Sequence, residues 1–248
     1  MRIAVQLSGG KDSIACLHLA RTQEHKIFAV FGNPGNPYPH VIEYIETICK
    51  DWNIELHYAF PETPVLDSIN HDGLPVDLLP VWASNEADYF AGLKKGYRTK
   101  MQSGIACCAK HLWIPIHQKV KELQPDEIWR GSKLSDDHVT KGPYFDHDGL
   151  KFVCPLWEWT DKDVYQYLEL HDIELPLQYK EGITHSLDCI ECTSWLDGES
   201  ELGRAKFTRQ YYPVQFERLK TKLALIEMET INQINKSYPF FQECINNG

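Results

Sequence analysis

Three short apolar runs alternate with two segments of helical period over the first 60 residues, and no other feature of the chain constrains its fold as tightly. Residues 3–5, Ile-Ala-Val, form a short run rich in β-branched side chains that ends at glycines, as a buried strand does. Residues 26–31 and 55–60 read as a second and a third strand. Between the first two lies the apolar stretch Ile14-Ala15-Cys16-Leu17-His18-Leu19-Ala20. Between the second and third, Val41, Tyr44, Ile45 and Ile48 recur at helical spacing. Strand, helix, strand, helix, strand is the pattern of a parallel sheet with helices on its faces. The fold class expected is therefore α/β, a doubly wound and mostly parallel sheet covered on both faces by helices. Ligands of such sheets bind beyond the carboxyl ends of the strands.

The segment at the first such end is Leu7-Ser8-Gly9-Gly10-Lys11-Asp12-Ser13. Strand, glycine-rich turn and helix start together make an anion site. Glycines let backbone N–H groups turn toward an anion, and the helix terminus adds its dipole and unpaired donors. Lys11 adds a point charge, and Ser8 and Ser13 add hydroxyls. The spacing is tighter than in the Walker-type loop, where four residues separate the two glycines before Lys and Ser/Thr. A plain strand–turn–helix junction capped by Asp12 or Ser13 is the competing reading.

Further along, Glu127-Ile128-Trp129 and Phe152-Val153-Cys154 read as two more short strands, and the first ends in Arg130-Gly131-Ser132-Lys133. Residues 108–123 read as a helix in which Pro115 kinks the chain or sits in the first turn. A further helix is expected over 85–95. Thr160 with Asp163 fits an N-cap and N3 pair, and Val164, Tyr167 and Leu168 give the following helix an apolar stripe. From Pro213 onward, Phe216, Leu219, Leu223, Ile226, Ile231 and Ile234 indicate one or two C-terminal helices. The boundaries expected are a nucleotide-binding domain over 1–197 and a helical extension over 198–248.

The formal net charge of −10 argues against a broad nucleic-acid surface. Lys94, Lys95, Arg98, Lys100 and Lys110 lie close in sequence, either as a solvated helix face or as a rim that meets phosphates. No apolar run reaches the ~18 residues a membrane span needs, and no secretory leader is visible at the N-terminus, so the expected location is the cytoplasm.

The chain has eight cysteines. Cys107-Cys108 are adjacent, and Cys189-Ile190-Glu191-Cys192 is a C-x-x-C about 80 residues later. Two thiolate pairs can close a tetrahedral site for zinc or hold one [4Fe–4S] cluster. Adjacent cysteines suit a cluster better, because they can reach two iron corners. A redox dithiol without metal is the third reading. Cys16, Cys49 and Cys154 lie among apolar residues and read as buried small hydrophobes.

Several motifs then recur in one order. Ser8-Gly9-Gly10-Lys11-Asp12-Ser13 resembles the PP-loop of the ATP pyrophosphatases. Asn33-Pro34-Gly35-Asn36-Pro37-Tyr38-Pro39, Cys107-Cys108 with Lys110, Pro155-Leu156 with Trp159-Thr160 and Asp163-Val164, and Cys189-x-x-Cys192-Thr193 follow. Their joint order resembles the phosphoadenosine phosphosulfate (PAPS) reductase-like family over about residues 1–195. The resemblance implies an adenine nucleotide α hydrolase-like sheet. It also implies ATP and Mg²⁺ at Ser8, Gly9, Gly10, Lys11, Asp12, Ser13, Asn33, Gly35, Arg130 and Lys133. Lys11, Asp12 and Ser13 would be catalytic, and Cys107, Cys108, Cys189 and Cys192 would hold a [4Fe–4S] cluster.

Two chemistries divide that family. One branch keeps Ser-Gly-Gly-Lys-Asp-Ser and cleaves ATP to AMP and pyrophosphate. It includes the small subunit of ATP sulfurylase and the pyrophosphatases of DNA phosphorothioation. The sulfonucleotide reductases usually have a degenerate loop and reduce a preformed adenylyl sulfate through a C-terminal cysteine. The intact loop favours ATP pyrophosphatase activity that adenylates an acceptor for sulfur transfer. Glu243-Cys244 resembles the reductases' terminal Glu-Cys-Gly, so a thioredoxin-dependent reductase using Cys244 is the alternative, and a non-catalytic ATP-binding subunit is a third. Partners so implied are a cysteine desulfurase or other sulfur donor, a DNA-modification complex and a second copy in a homodimer, with no membrane.

Overall fold

The structure is a computed structural model that describes residues 1–77, 99–136, 141–195 and 199–246. Six strands form the main sheet: β1 (Arg2–Leu7), β2 (Lys26–Gly32), β3 (Glu55–Ala59), β6 (Glu127–Trp129), β7 (Tyr144–His147) and β8 (Leu150–Val153). Their order is β3-β2-β1-β6-β8-β7, and β4 (Leu74–Val76) pairs with β5 (Met101–Ser103) in a separate ribbon. All neighbours in the main sheet are parallel except β7, which runs antiparallel to β8 at the edge. The doubly wound, mostly parallel sheet expected from the alternation is present. The β7 hairpin strand and the β4–β5 ribbon carry no clear signal in the sequence.

Alternation along each strand sends side chains to two layers. Ala4, Phe28, Val30, Ala59, Ile128 and Phe152 share one face with Val120 of helix α5 (Ile114–Leu123), and Ile116 and Leu123 pack against them. Helix α1 (Lys11–Arg21) packs on β1 and β2. Its Ile14, Ala15, Cys16, Leu17 and Ala20 are fully buried. Helix α2 (Pro39–Asp51) buries Val41, Ile45 and Ile48, three of its four predicted apolar positions.

The strand order reverses at β1. Strands β2 and β3 lie to one side of it, β6 and β8 to the other. At such a switch point the connections after β1 and β6 leave in opposite directions and open a crevice at the carboxyl ends of both.

Helix α3 spans Val65–Asp72 and helix α4 Gly104–Cys108. A π-helical stretch, Ala109–Trp113, follows α4 and leads into α5, where Pro115 sits in the first turn. Helix α6 (Asp161–Leu170) begins at the predicted cap, with Thr160 and Asp163 forming a reciprocal capping box. Helices α7 (Leu177–Lys180), α8 (Glu199–Tyr211) and α9 (Pro213–Asn246) complete the described elements. Helix α9 runs on through Glu243 and Cys244. The helix expected over 85–95, with Lys94, Lys95 and Arg98, lies outside the described residues, while Lys100 and Lys110 are exposed.

Backbone contacts divide the chain into two compact units. The first comprises Met1–Val65 with Cys108–Ile190 and contains the six-stranded sheet. The second comprises Leu66–Cys107 with Glu191–Gly248. No described helix is long and apolar enough to cross a membrane.

Candidate functional site

The phosphate-loop site lies in the first unit. The turn after β1 is built by its own small side chains. Ser13 Oγ donates to the carbonyl of Gly10 at 2.8 Å and accepts from Ser8 N at 3.2 Å. Ser8 Oγ accepts in turn from Gly10 N at 3.3 Å. Gly9 has φ +73°, and a Cβ there would fall 2.5 Å from Val41 Cγ1 of α2. Only glycine meets both the backbone angle and the space. Gly10 then serves as the N-cap of α1 and brings no side chain of its own to the helix terminus.

The turn after β6 meets this loop across the crevice. A Cβ on Gly131 would stand 2.6 Å from the carbonyl carbon and oxygen of Asp12 and 2.8 Å from Ser13 N. The two backbones touch there, and that contact delivers Lys133 to the loop. Lys133 is 2% exposed and Lys11 5%. Buried ammoniums require partners. Lys133 Nζ lies 2.7 Å from Asp12 Oδ1, 3.0 Å from Asp136 Oδ1 and 3.3 Å from Asp161 Oδ1. Lys11 Nζ lies 3.0 Å from Asp12 Oδ2 and 3.1 Å from Asp161 Oδ1. Tyr165 places its ring 5.8 Å from the same ammonium. Burial lowers the pKa of Lys133, but the bonds to Asp12 and Asp136 outweigh it and hold the group above the ordinary lysine range. Burial likewise raises Asp161, and the Lys11 and Lys133 ammoniums override this and keep its carboxyl low.

A cleft of ≈ 760 Å³ opens over these groups. Its lining includes Gly10, Lys11, Lys133, Asp161 and Tyr179. A second cleft of ≈ 320 Å³ shares Ser8, Asp12, Ser13, Asp136 and Ser186 with it and adds Leu7, Phe31, Leu112, Trp113 and Ile116 to its lining. Arg130 lines the second cleft. Burial lowers its pKa, and the Cys154 thiol nearby acts in the opposite sense.

The structure thus brings together Ser8, Gly9, Gly10, Lys11, Asp12, Ser13, Arg130 and Lys133 of the predicted set. It places Asn33 and Gly35 outside both clefts. Asn33 Oδ1 accepts from Gly35 N at 2.9 Å, so that side chain shapes its own turn. Phe31 and Gly32, immediately upstream, line the second cleft instead. Sequence reading missed Gly131, Asp136, Asp161, Tyr165 and Tyr179. Asp161 was visible only as the residue after a helix cap, and Gly131 only as a break after a strand.

Cys108 and Cys189 belong to the first unit, Cys107 and Cys192 to the second. Cys189 stands beside the Asn33–Pro39 turn, forming a bridge with Pro37, and Ile190 N donates to Asn36 O at 3.0 Å. Among the described residues, no group of three or more Cys, His, Asp or Glu side chains is arranged to hold a metal ion. Cys16, Cys49 and Cys154 are buried as expected. Burial raises the thiol pKa of Cys16 well above its usual value and that of Cys49 to about 11, so neither is a ready thiolate.

The model of the phosphoadenosine phosphosulfate reductase domain family matches residues 2–195. The chain belongs to this family. Curated relatives of this PAPS reductase-family chain fall on both sides of the division in chemistry. Sulfate adenylyltransferase subunit 2 of Streptomyces lavendulae is 26% identical over 205 residues, covering 72% of this chain and 56% of the relative. The chain therefore spans little more than half the length of that protein. Phosphoadenosine 5'-phosphosulfate reductase of Vibrio vulnificus is 21% identical over 204 residues, covering 80% of this chain and 69% of the relative. The phosphate complex of PAPS reductase from Candida auris has the same fold, with a TM-score of 0.51 at 12% identity over 75% of this chain and 80% of that one.

Proposed function

We propose that this chain cleaves ATP between the α- and β-phosphates and transfers the adenylyl group to an acceptor in sulfur transfer. The observation that carries the reading is the complete loop after β1 with two buried lysines, Lys11 and Lys133, converging on it from two strand ends. A reductase that receives a preformed adenylyl sulfate has no pyrophosphate to hold. The charge balance points the same way. Two ammoniums face the three carboxylates of Asp12, Asp136 and Asp161. The resting cleft carries one excess negative charge, so it favours a magnesium-complexed polyphosphate over a bare polyanion.

In this reading the β- and γ-phosphates of Mg·ATP occupy the larger cleft. Lys11 and Lys133 exchange carboxylate oxygens for phosphate oxygens, and the displaced carboxylates face the magnesium that the nucleotide carries. Adenine enters the second cleft against its apolar side chains Phe31, Trp113 and Ile116. The α-phosphorus then falls at the seam that both clefts share, near Ser8, Ser13 and Ser186. An acceptor oxygen attacks there, in line with the departing pyrophosphate. The lysines and loop donors neutralise charge as the α–β bond lengthens, and positioning supplies most of the remaining rate.

The naming of one relative as a sulfate adenylyltransferase subunit supports adenylyl chemistry and a partner subunit. DNA phosphorothioation, and a desulfurase or other sulfur donor as partner, rest on the sequence resemblance. So does a [4Fe–4S] cluster on Cys107, Cys108, Cys189 and Cys192, and no step is routed through one. Iron, sulfide and a visible charge-transfer band in anaerobically purified protein would support the cluster; a colourless, iron-free protein would reject it.

Incubation of the full chain with Mg·ATP and sulfate or DNA as acceptor tests the main reading. AMP and pyrophosphate are the expected products. ADP as the main product, or no α–β cleavage with any acceptor, overturns it. Sulfite release from an adenylyl sulfate, abolished by Cys244→Ser, would establish the reductase chemistry instead.

A further inference from the structure

Tyr179 occupies a position that the phosphate-loop reading leaves unexplained. Its hydroxyl accepts from the backbone N–H of Lys11 at 2.8 Å. That amide is the first of helix α1, the donor a loop-bound anion would ordinarily take. The same oxygen stands 3.4 Å from where a Cβ on Gly10 would lie, so it packs directly over the loop. The residue lines the larger cleft with Gly10, Lys11 and Ser13.

Its mounting is rigid. Gln178, fully buried, bonds through Oε1 to His40 Nε2 of α2 at 2.7 Å. Ile183 N closes onto Gln178 O at 3.0 Å, and Gly182 N onto Tyr179 O at 3.2 Å. The phenol is therefore held in place from both sides of the chain.

A phenol has one proton to donate and accepts in its other directions. Among the described residues, Lys11 N is the one hydrogen-bond partner of the Tyr179 hydroxyl. Once that N–H is accepted, the phenolic proton is left for a group in the cleft. Burial, above all, raises the phenol pKa, so the proton stays on at any working pH.

We propose that Tyr179 is a ligand for the phosphate-bearing substrate, passing the polarisation of the helix terminus through its own O–H to a β- or γ-phosphate oxygen. It extends the oxyanion cradle beyond the backbone amides. The inference rests on the cleft being an oxyanion site, but not on ATP being cleaved there.

Equilibrium binding of inorganic pyrophosphate with magnesium, measured calorimetrically on the full chain, tests it without turnover. Tyr179→Phe should weaken pyrophosphate binding about tenfold or more, the range for a hydrogen bond to a charged group. Adenosine binding should stay within about twofold. Unchanged or tighter pyrophosphate binding by Tyr179→Phe, or no binding by the wild type, overturns the proposal. A residue that only props the loop would also weaken binding when truncated, so a second measurement separates the two. A 3-fluorotyrosine at position 179 is a stronger donor and a poorer acceptor. It should tighten pyrophosphate binding; weaker binding would mark Tyr179 as a prop and overturn the proposal. Loss of ATP cleavage chemistry with pyrophosphate binding intact would reject the proposed function and leave this inference standing.

Discussion

Lys133 Nζ lies 2.7 Å from Asp12 Oδ1, although 121 residues separate them in the chain. The contact joins the turn after β6 to the turn after β1, the two strands at which the sheet order reverses. It exists because Gly131 lets the second turn lie on the backbone of the first. A generic feature of doubly wound sheets, the crevice at the switch point, is thereby turned into a charged cleft. Neither lysine is spare. Each is held by carboxylates that a phosphate ligand would replace.

Replacing Lys133 by Met should remove half of the cationic charge from the cleft while keeping most of the buried stem. If Lys133 stabilises charge on the departing pyrophosphate, kcat/KM for ATP cleavage should fall by roughly 10²–10³-fold, the range for loss of one preorganised electrostatic contact. Steady-state release of pyrophosphate is the measurement. Lys11→Ala should be at least as damaging. A Lys133→Met protein with near wild-type kcat/KM would show that this ammonium only balances the carboxylates.

Gly131→Ala should destabilise the protein by about 2–4 kcal/mol, because its Cβ meets backbone atoms that cannot rotate away. Gly149→Ala is the control. That glycine has φ +74° with nothing within 4 Å of the added Cβ, so its cost should be about 1 kcal/mol, from backbone strain alone. Urea denaturation of both variants gives the comparison. Equal costs would mean that the turn after β6 moves off Asp12 freely.

Much of this arrangement was legible in the sequence, and the limits have physical causes. The loop was readable because strand, glycines and helix start are local in sequence. The Thr160–Asp163 cap was readable for the same reason. Asp161, Asp136 and Tyr179 were not, because each reaches the loop only through tertiary contact, and a lone Asp or Tyr in a polar stretch has no period. The Asn33–Gly35 turn resembled a nucleotide-binding feature, yet its side chain closes on its own backbone. The cysteine pairs are conspicuous as a pattern, but spacing alone does not choose between zinc, a cluster and a metal-free dithiol. The β7 strand was obscured by the exposed, polar character of Tyr144, Asp146 and His147 at a sheet edge.

Thr160→Ala should cost about 1 kcal/mol of stability through loss of the α6 cap, in which Asp163 N donates to Thr160 Oγ1 at 3.3 Å and Thr160 N to Asp163 Oδ2 at 2.7 Å. The cap also sets the direction of Asp161, the next residue, whose carboxylate meets both lysines. The variant should therefore alter pyrophosphate affinity by a few fold as well as lowering the denaturation midpoint. A stability loss with unchanged affinity would show that Asp161 is positioned by its ion pairs and not by the cap.

His18 gives the protein a built-in acid sensitivity. It is buried on α1, with Nδ1 2.8 Å from the Tyr167 hydroxyl and its ring packed against Trp52 and His171. Burial first, then the neighbouring His171 and Arg21, lower its pKa to about 4. The unfolded chain takes up the proton near pH 6.5. Above that pH His18 is neutral in both states and exerts no pull. Between 6.5 and about 4 only the unfolded state is protonated, so stability is lost as the pH falls through that window, and below it the loss is constant. His18→Asn keeps a polar group facing Tyr167 and removes the titration. The stability advantage of wild type over this variant should shrink by roughly 1–2 kcal/mol between pH 7.5 and 4.5, allowing for solvent screening. An advantage that is independent of pH, or that grows in acid, would mean that His18 is protonated in the folded state and that its neighbours accommodate the charge.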